Sequence, residues 1–151
     1  MNILSLRELR GKLLLDADVF LSYIGGGELA DHAEKVVRLI TDGVVEAFVS
    51  SMLYDDVISA LRSKEVEIEK IIQVLVAIAS IPHTPLPVTP QIAVSALTLY
   101  IQHRGPGKLH YFDSFHVATA KHHKLPLITS DNYINEHQEN LGITAYNLRK
   151  I

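Results

Sequence analysis

Hydrophobic positions along the chain follow two alternating patterns. Short stretches are apolar at every position, Leu13-Leu14-Leu15 first among them, and longer stretches repeat an apolar residue every three or four positions. The first pattern marks strands buried on both faces; the second marks amphipathic helices. Residues 1–11 read as an amphipathic or frayed lead-in closed by Gly11. A strand is predicted over Leu13–Asp16, then a short helix over Val19–Ile24 that stops at Gly25-Gly26-Gly27. Glu28–Thr41 is predicted helical, with Leu29, Ala33, Val36, Val37 and Ile40 on one stripe, and Asp42-Gly43 stops it. Val44–Val49 is the second predicted strand. Ser50 or Ser51 is the expected cap of a helix over Met52–Ser63, and another helix over Val66–Ile81 ends at Pro82. Pro85 and Pro87 leave room only for a short strand near Thr84–Val88. Thr89-Pro90 joins a capping hydroxyl to a proline at the first helical position, starting a helix that runs to about His103. The Gly/Pro loop Arg104–Lys108 leads to a helix over Tyr111–His123, a strand over Leu125–Thr129, a short helix over Asp131–Asn140 and a last strand over Ile143–Tyr146. Strands separated by helices require crossover connections, so the expected class is α/β with a mainly parallel sheet.

Composition narrows the chemistry. At 151 residues the chain is expected to form one domain over 1–151, with enough length for a substantial core. The absence of cysteine removes disulfides, thiolate zinc sites and a cysteine nucleophile together. A net charge of −3 gives no global basic signal, so a nucleic-acid partner would need a local basic patch or a bridging cation. The N-terminus lacks a signal-peptide pattern, and the longest apolar-rich segment, Ile71–Ile81, is too short to span a bilayer. The expected location is cytoplasmic. Gly25-Gly26-Gly27 matches neither GxGxxG nor GxxxxGK[ST], so it is read as a turn and not as a phosphate loop.

The acids fall at element ends. Asp16 ends the first strand, and in open α/β sheets ligands bind outside the carboxyl ends of the strands. Asp131 follows the strand that ends at Thr129, and right-handed crossovers bring such ends to one sheet edge. Asp113 opens a helix that is apolar on both sides, with Phe112, Phe115, Ala118 and Thr119 on one and Val117 and Ala120 on the other. A helix of that kind is buried, and buried carboxylates need partners. On the helix after the second strand, Leu53, Val57, Ala60 and Leu61 define the core stripe. Asp56 lies on its shoulder, and Asp55 lies nearly opposite, on the solvent side. Each acid alone is also accounted for as a cap or turn residue; the joint pattern carries the chemical reading. Clustered like charges raise one another's pKa and ask for a cation. Hard oxygens without cysteine suit Mg²⁺ or Mn²⁺, ions that activate water and offset charge on a phosphoryl leaving group.

Four motifs in order resemble the PIN-domain ribonucleases, including toxins of the VapC type. Leu13–Leu21 looks like the family's opening strand and acid. Val49–Val57 resembles its second motif, a hydroxyl followed by an acid. Asp113-Ser-Phe-His-Val-Ala-Thr-Ala120 is the closest match, and Leu127-Ile-Thr-Ser-Asp131 is similar to the last motif. The resemblance implies an α/β/α sandwich around a five-stranded parallel sheet. It also implies a site of Asp16, Asp56, Asp113 and Asp131 that binds Mg²⁺ or Mn²⁺ and hydrolyses RNA phosphodiesters. Thr129 or Ser130, and Ser50, would support it. At position 56 the family usually has glutamate, one methylene longer. Small members of the family are often dimeric toxins held by an antitoxin protein.

Two other classes remain open on the sequence. Asp16-Ala-Asp18 resembles the first motif of haloacid-dehalogenase-type phosphatases, with Ser50 as the phosphate hydroxyl; Lys108 and Lys124 are poorly placed for the lysine that such a site needs. A PIN-fold binding or interaction module without strong catalysis is the third class, favoured by the change at 56. Among the eight histidines, His110, Asp113 and His116 recur at three-residue steps, but His110 falls before the helix. His116, one turn from Asp113, is the histidine to watch. Arg104 and Lys108 are the preferred candidates for RNA phosphate contacts. The apolar helices over 66–81 and 91–103 carry more hydrophobic surface than a small sheet covers, which predicts a homodimer.

Overall fold

Leu13, Leu14 and Leu15 are at most 2 % exposed and lie in the central strand of the sheet. The computed structural model describes residues 8–151; the predicted lead-in lies outside them as far as residue 7. Gly11, at φ 77°, opens the first strand instead of closing the lead-in. The elements are β1 (Gly11–Leu15), α1 (Ala17–Gly25), α2 (Ala30–Thr41), β2 (Val45–Ser50), α3 (Leu53–Ser63), α4 (Ile68–Ala79), β3 (Thr84–Leu86), α5 (Pro90–His103), α6 (Tyr111–His123), β4 (Leu127–Thr129), α7 (Asn132–Glu136), α8 (Gln138–Leu141) and β5 (Ala145–Asn147). A 3-10 turn, Leu148–Lys150, follows.

The strand order is β3-β2-β1-β4-β5, and every pairing is parallel. Leu14 sits opposite Phe48 on one side and Leu127 on the other. From β1 the chain winds outward through β2 and β3, then returns to place β4 against the other side of β1. The order therefore reverses between β1 and β4, and a crevice opens at their carboxyl ends. Asp16 follows the first of these strands, and Ser130-Asp131 follows the second.

Successive strand side chains point to opposite faces, so the three leucines serve two cores. Leu13 and Leu15 pack with Val36, Ile40, Val57 and Ile78 of α2–α4. Leu14 packs with Ile92, Leu99, Val117 and Leu127, under α5 and α6. The result is the expected three-layer sandwich. α5 starts as predicted: Thr89 Oγ1 accepts a hydrogen bond from the Ile92 amide, and Pro90 takes the first turn, where no partner for its nitrogen is needed.

Several predicted boundaries move for local reasons. Neither Ser50 nor Ser51 caps α3, whose N-cap is Met52 without a side-chain bond. Ser50 Oγ accepts from the Met52 amide, and Ser51 Oγ accepts from the Val88 amide, tying the end of β2 to the chain after β3. The helix predicted over 131–140 breaks at His137. There the Gln138 side chain donates to the Asn135 carbonyl and accepts from the Ala145 amide, and this bonding competes with the helical ladder. Pro126 offers only its carbonyl, which accepts from the Leu14 amide at 2.8 Å, and β4 begins one residue later.

Two apolar stripes stay outside both cores. Ile68, Ile72 and Val76 line α4, and Val94, Leu97 and Ile101 line α5; all are at least 45 % exposed. Among the described residues no helix is long and apolar enough to cross a membrane.

Candidate metal centre

The crevice beside β1 is built by backbone features that aim carboxylates at one point. The extended backbone of Asp16 caps α1, with Oδ1 accepting from the Ala17 amide at 2.7 Å. Its Oδ2 accepts from Thr129 Oγ1 at 2.6 Å, across the β1–β4 seam. The same hydroxyl oxygen accepts from the Asp131 amide at 3.1 Å, so one threonine positions two acids. Asp131 caps α7 through Oδ1, which accepts from the Ile134 amide. Asp113 is the third residue of α6. Asp56, on α3, reaches across to α6, where its Oδ2 lies 2.8 Å from His116 Nε2. That nitrogen is also 3.7 Å from Asp16 Oδ1.

Asp16, Asp18, Asp56, Asp113 and Asp131 line one cleft of about 270 Å³, with Ala17, Leu21 and Ser130 completing the wall. Donor atoms in and around it fall into two groups, each with members no more than 4.8 Å apart. Asp16, Asp56 and His116 form the inner group; His110, Asp113 and Asp131 form the outer one. Asp55 is exposed, as its side of α3 predicts.

The cleft is electrostatically loaded. Burial raises the Asp16 carboxyl above the ordinary carboxylate value, against the lowering effects of His116 and Thr129. Burial and the Asp16 charge push Asp113 up to about 8, with Asp131 and Asp56 adding to the rise. Burial and Asp16 likewise push Asp18 up to about 7, although Ser130 stabilises its anion. Burial alone would depress His116. The bond to Asp56 and the charges of Asp16, Asp56 and Asp113 outweigh it and hold the imidazole up at about 9. The ion-pair partners of these acids are imidazoles: His116 for Asp16 and Asp56, His110 for Asp113.

Among the described residues, two buried side-chain polar atoms have no partner, Asp18 Oδ1 and His116 Nδ1. An orphaned carboxylate oxygen inside a ring of acids is a donor site suited to a cation. The donor set is oxygen-rich with one imidazole in each group, which fits a hard or borderline divalent ion such as Mg²⁺ or Mn²⁺.

Sequence reasoning missed Asp18 as a wall of this cleft and placed it only in the phosphatase reading. The chain turns from strand to helix at Ala17, which brings Asp18 under β4, where Oδ2 accepts from both the Ser130 amide and its hydroxyl. Ser50 is fully buried and bonded to the Met52 amide, outside the cleft wall, which leaves the phosphatase reading without its phosphate hydroxyl. Arg104 and Lys108 are exposed on the loop before α6 and do not line the cleft.

The family model described as the PIN domain matches residues 13–140, and so takes in all five acids. The chain belongs to the PIN domain family. Solved structures of other proteins share the fold. VapBC2 from Rickettsia felis, bound to a DNA fragment from its promoter, matches with a TM-score of 0.66 at 14 % identity, over 90 % of this chain and 98 % of that one. DNA-bound VapBC from Salmonella typhimurium gives 0.63 at 18 %, over 91 % and 98 %. VapBC-5 from Mycobacterium tuberculosis, of the VapBC family of toxin–antitoxin systems, gives 0.59 at 18 %, over 90 % and 98 %. No curated protein matches the chain.

Proposed function

We propose that this PIN domain is a divalent-metal-dependent endoribonuclease and the toxin of a toxin–antitoxin pair. The observation that carries the reading is the meeting of Asp16, Asp56, Asp113 and Asp131, from four separate elements, in one cleft whose basic partners are imidazoles. A partly buried cluster of that charge is costly unless a cation joins it.

Asp16, Asp56, Asp113 and Asp131 would hold the ion. When bound, Mg²⁺ or Mn²⁺ would supply Lewis-acid polarisation of the phosphoryl group and an activated water. The protein's own part is positional. Thr129 fixes the Asp16 and Asp131 carboxylates relative to each other. His116 holds Asp56, whose shorter side chain is aimed from α3 toward α6. The Asp18–Ser130 bonds pin the turn after β4 against α1. Arg104 and Lys108, on the loop that leads into α6, would meet the RNA backbone outside the cleft.

VapBC-5 is by name a member of a family of toxin–antitoxin systems, and a structure from Klebsiella pneumoniae with this fold is by name a toxin–antitoxin complex; this supports an antitoxin protein as partner here. The exposed stripes of α4 and α5 support a homodimer, because apolar residues repeated along one helix face are usually covered. The decisive experiment is RNA cleavage by the wild type with Mg²⁺ or Mn²⁺, compared with EDTA and with Asp113→Asn. The proposal expects cleavage only from the wild type with metal. Cleavage that survives both EDTA and the substitution would overturn it.

A further inference from the structure

The outer donor group contains a residue outside the four acidic motifs. His110 is the N-cap of α6, with an extended backbone (φ −83°, ψ 164°) and no side-chain cap bond. Most N-caps direct their side chain at the helix's free amides. Here Nδ1 is turned to Asp113 Oδ2, 3.1 Å away. The imidazole is 71 % exposed, so it stands at the mouth of the cleft and not inside it. Asp131 supplies the third donor, a carboxylate oxygen within 4.8 Å of the other two. A helix-start ion pair accounts for His110 and Asp113 but leaves a second acid, Asp131, crowded against the same carboxylate. A second observation, in the cleft that Asp113 and Asp131 line, points to a ligand: Asp18 Oδ1 is buried there with no partner among the described residues.

We infer that His110 is a nitrogen ligand of the metal centre, closing it on the solvent side together with Asp113 and Asp131, and that it makes this outer position prefer Mn²⁺ to Mg²⁺. The inference rests on the metal-dependent reading above and adds a ligand and a selectivity to it. Mg²⁺ is satisfied by carboxylates and water, whereas imidazole adds affinity for the more polarisable first-row divalent ions. His110 and Asp113 come from one helix start, so their relative placement is set before a cation arrives.

The test is calorimetric titration of Mn²⁺ and Mg²⁺, separately, into the full chain as wild type, His110→Ala and His110→Asp. Thermal unfolding without metal checks folding, and the exposure of the side chain predicts little change there. His110→Ala is expected to weaken Mn²⁺ by about tenfold and Mg²⁺ by less than about twofold. His110→Asp is expected to recover binding of both ions without the preference for Mn²⁺. Equal Mn²⁺ affinity in wild type and His110→Ala, with metal still bound, overturns the inference alone and leaves a helix-start ion pair only. Wild type that binds neither ion overturns the metal-dependent reading and this inference with it.

Discussion

Replacing Asp113 by asparagine should stabilise the metal-free protein while removing its response to metal. Asp113 is half-buried beside Asp16 and close to Asp131 and Asp56, and its carboxyl is pushed from 3.8 to about 8. The unfolded chain ionises this group near pH 4, but the folded chain resists ionisation until about pH 8. Stability attached to this residue is therefore complete below pH 4 and is lost as pH rises toward 8. Each pH unit above 3.8 costs about 1.4 kcal/mol, giving a ceiling of about 4 kcal/mol at pH 7. Asparagine removes the charge but still buries an amide, so a gain of about 2 kcal/mol is expected. For a domain of this size that raises Tm by about 6 °C. The assay is thermal unfolding in EDTA at pH 4 and pH 7. The gain should be present at pH 7 and absent at pH 4. With Mg²⁺ at about a hundred times its Kd the wild type should gain about 2.7 kcal/mol, and Asp113→Asn much less. A variant that is less stable than wild type at pH 7 in EDTA, or equally stabilised at both pH values, would refute the reasoning.

Three further outcomes follow from the same contacts. Thr129→Val removes the donor to Asp16 and the acceptor for the Asp131 amide. It should cost about 2 kcal/mol in urea unfolding and weaken metal binding, and an unchanged midpoint would contradict the role given to that hydroxyl. Leu14→Ala empties a fully buried position at the centre of the sheet and should cost about 3 kcal/mol by chemical denaturation; a cost below about 1 kcal/mol would mean that the site collapses around the gap. Arg104→Ala and Lys108→Ala should each weaken RNA binding regardless of base sequence and lower the salt-dependence slope by about one. Sequence-dependent losses would instead assign these side chains to the bases.

The fold was legible because its signals are local. Leu13-Leu14-Leu15 marks a strand with two buried faces, and Thr89-Pro90 marks a helix start; the structure has both. The burial of α6 was legible from its apolar residues, and Ser114–Ala120 are all buried; Asp113, at its start, is only half-buried. The remainder depended on geometry that no residue spacing carries. Asp18 joins the cleft only because the chain changes from strand to helix between it and Asp16. His110 precedes the helix, as the sequence predicts, yet it is the N-cap with an extended backbone and its ring turns back to Asp113. The break at His137 comes from side-chain bonds made by Gln138 to residues 135 and 145, and a helical wheel does not see them.

Crystals of the full chain soaked in Mn²⁺ and measured at the manganese edge test the central claim most directly. The account predicts an anomalous peak in the cleft, within coordination distance of carboxylate oxygens of Asp16, which follows β1, and Asp113 of α6. An empty cleft at saturating Mn²⁺, with every anomalous peak elsewhere on the surface, would contradict it.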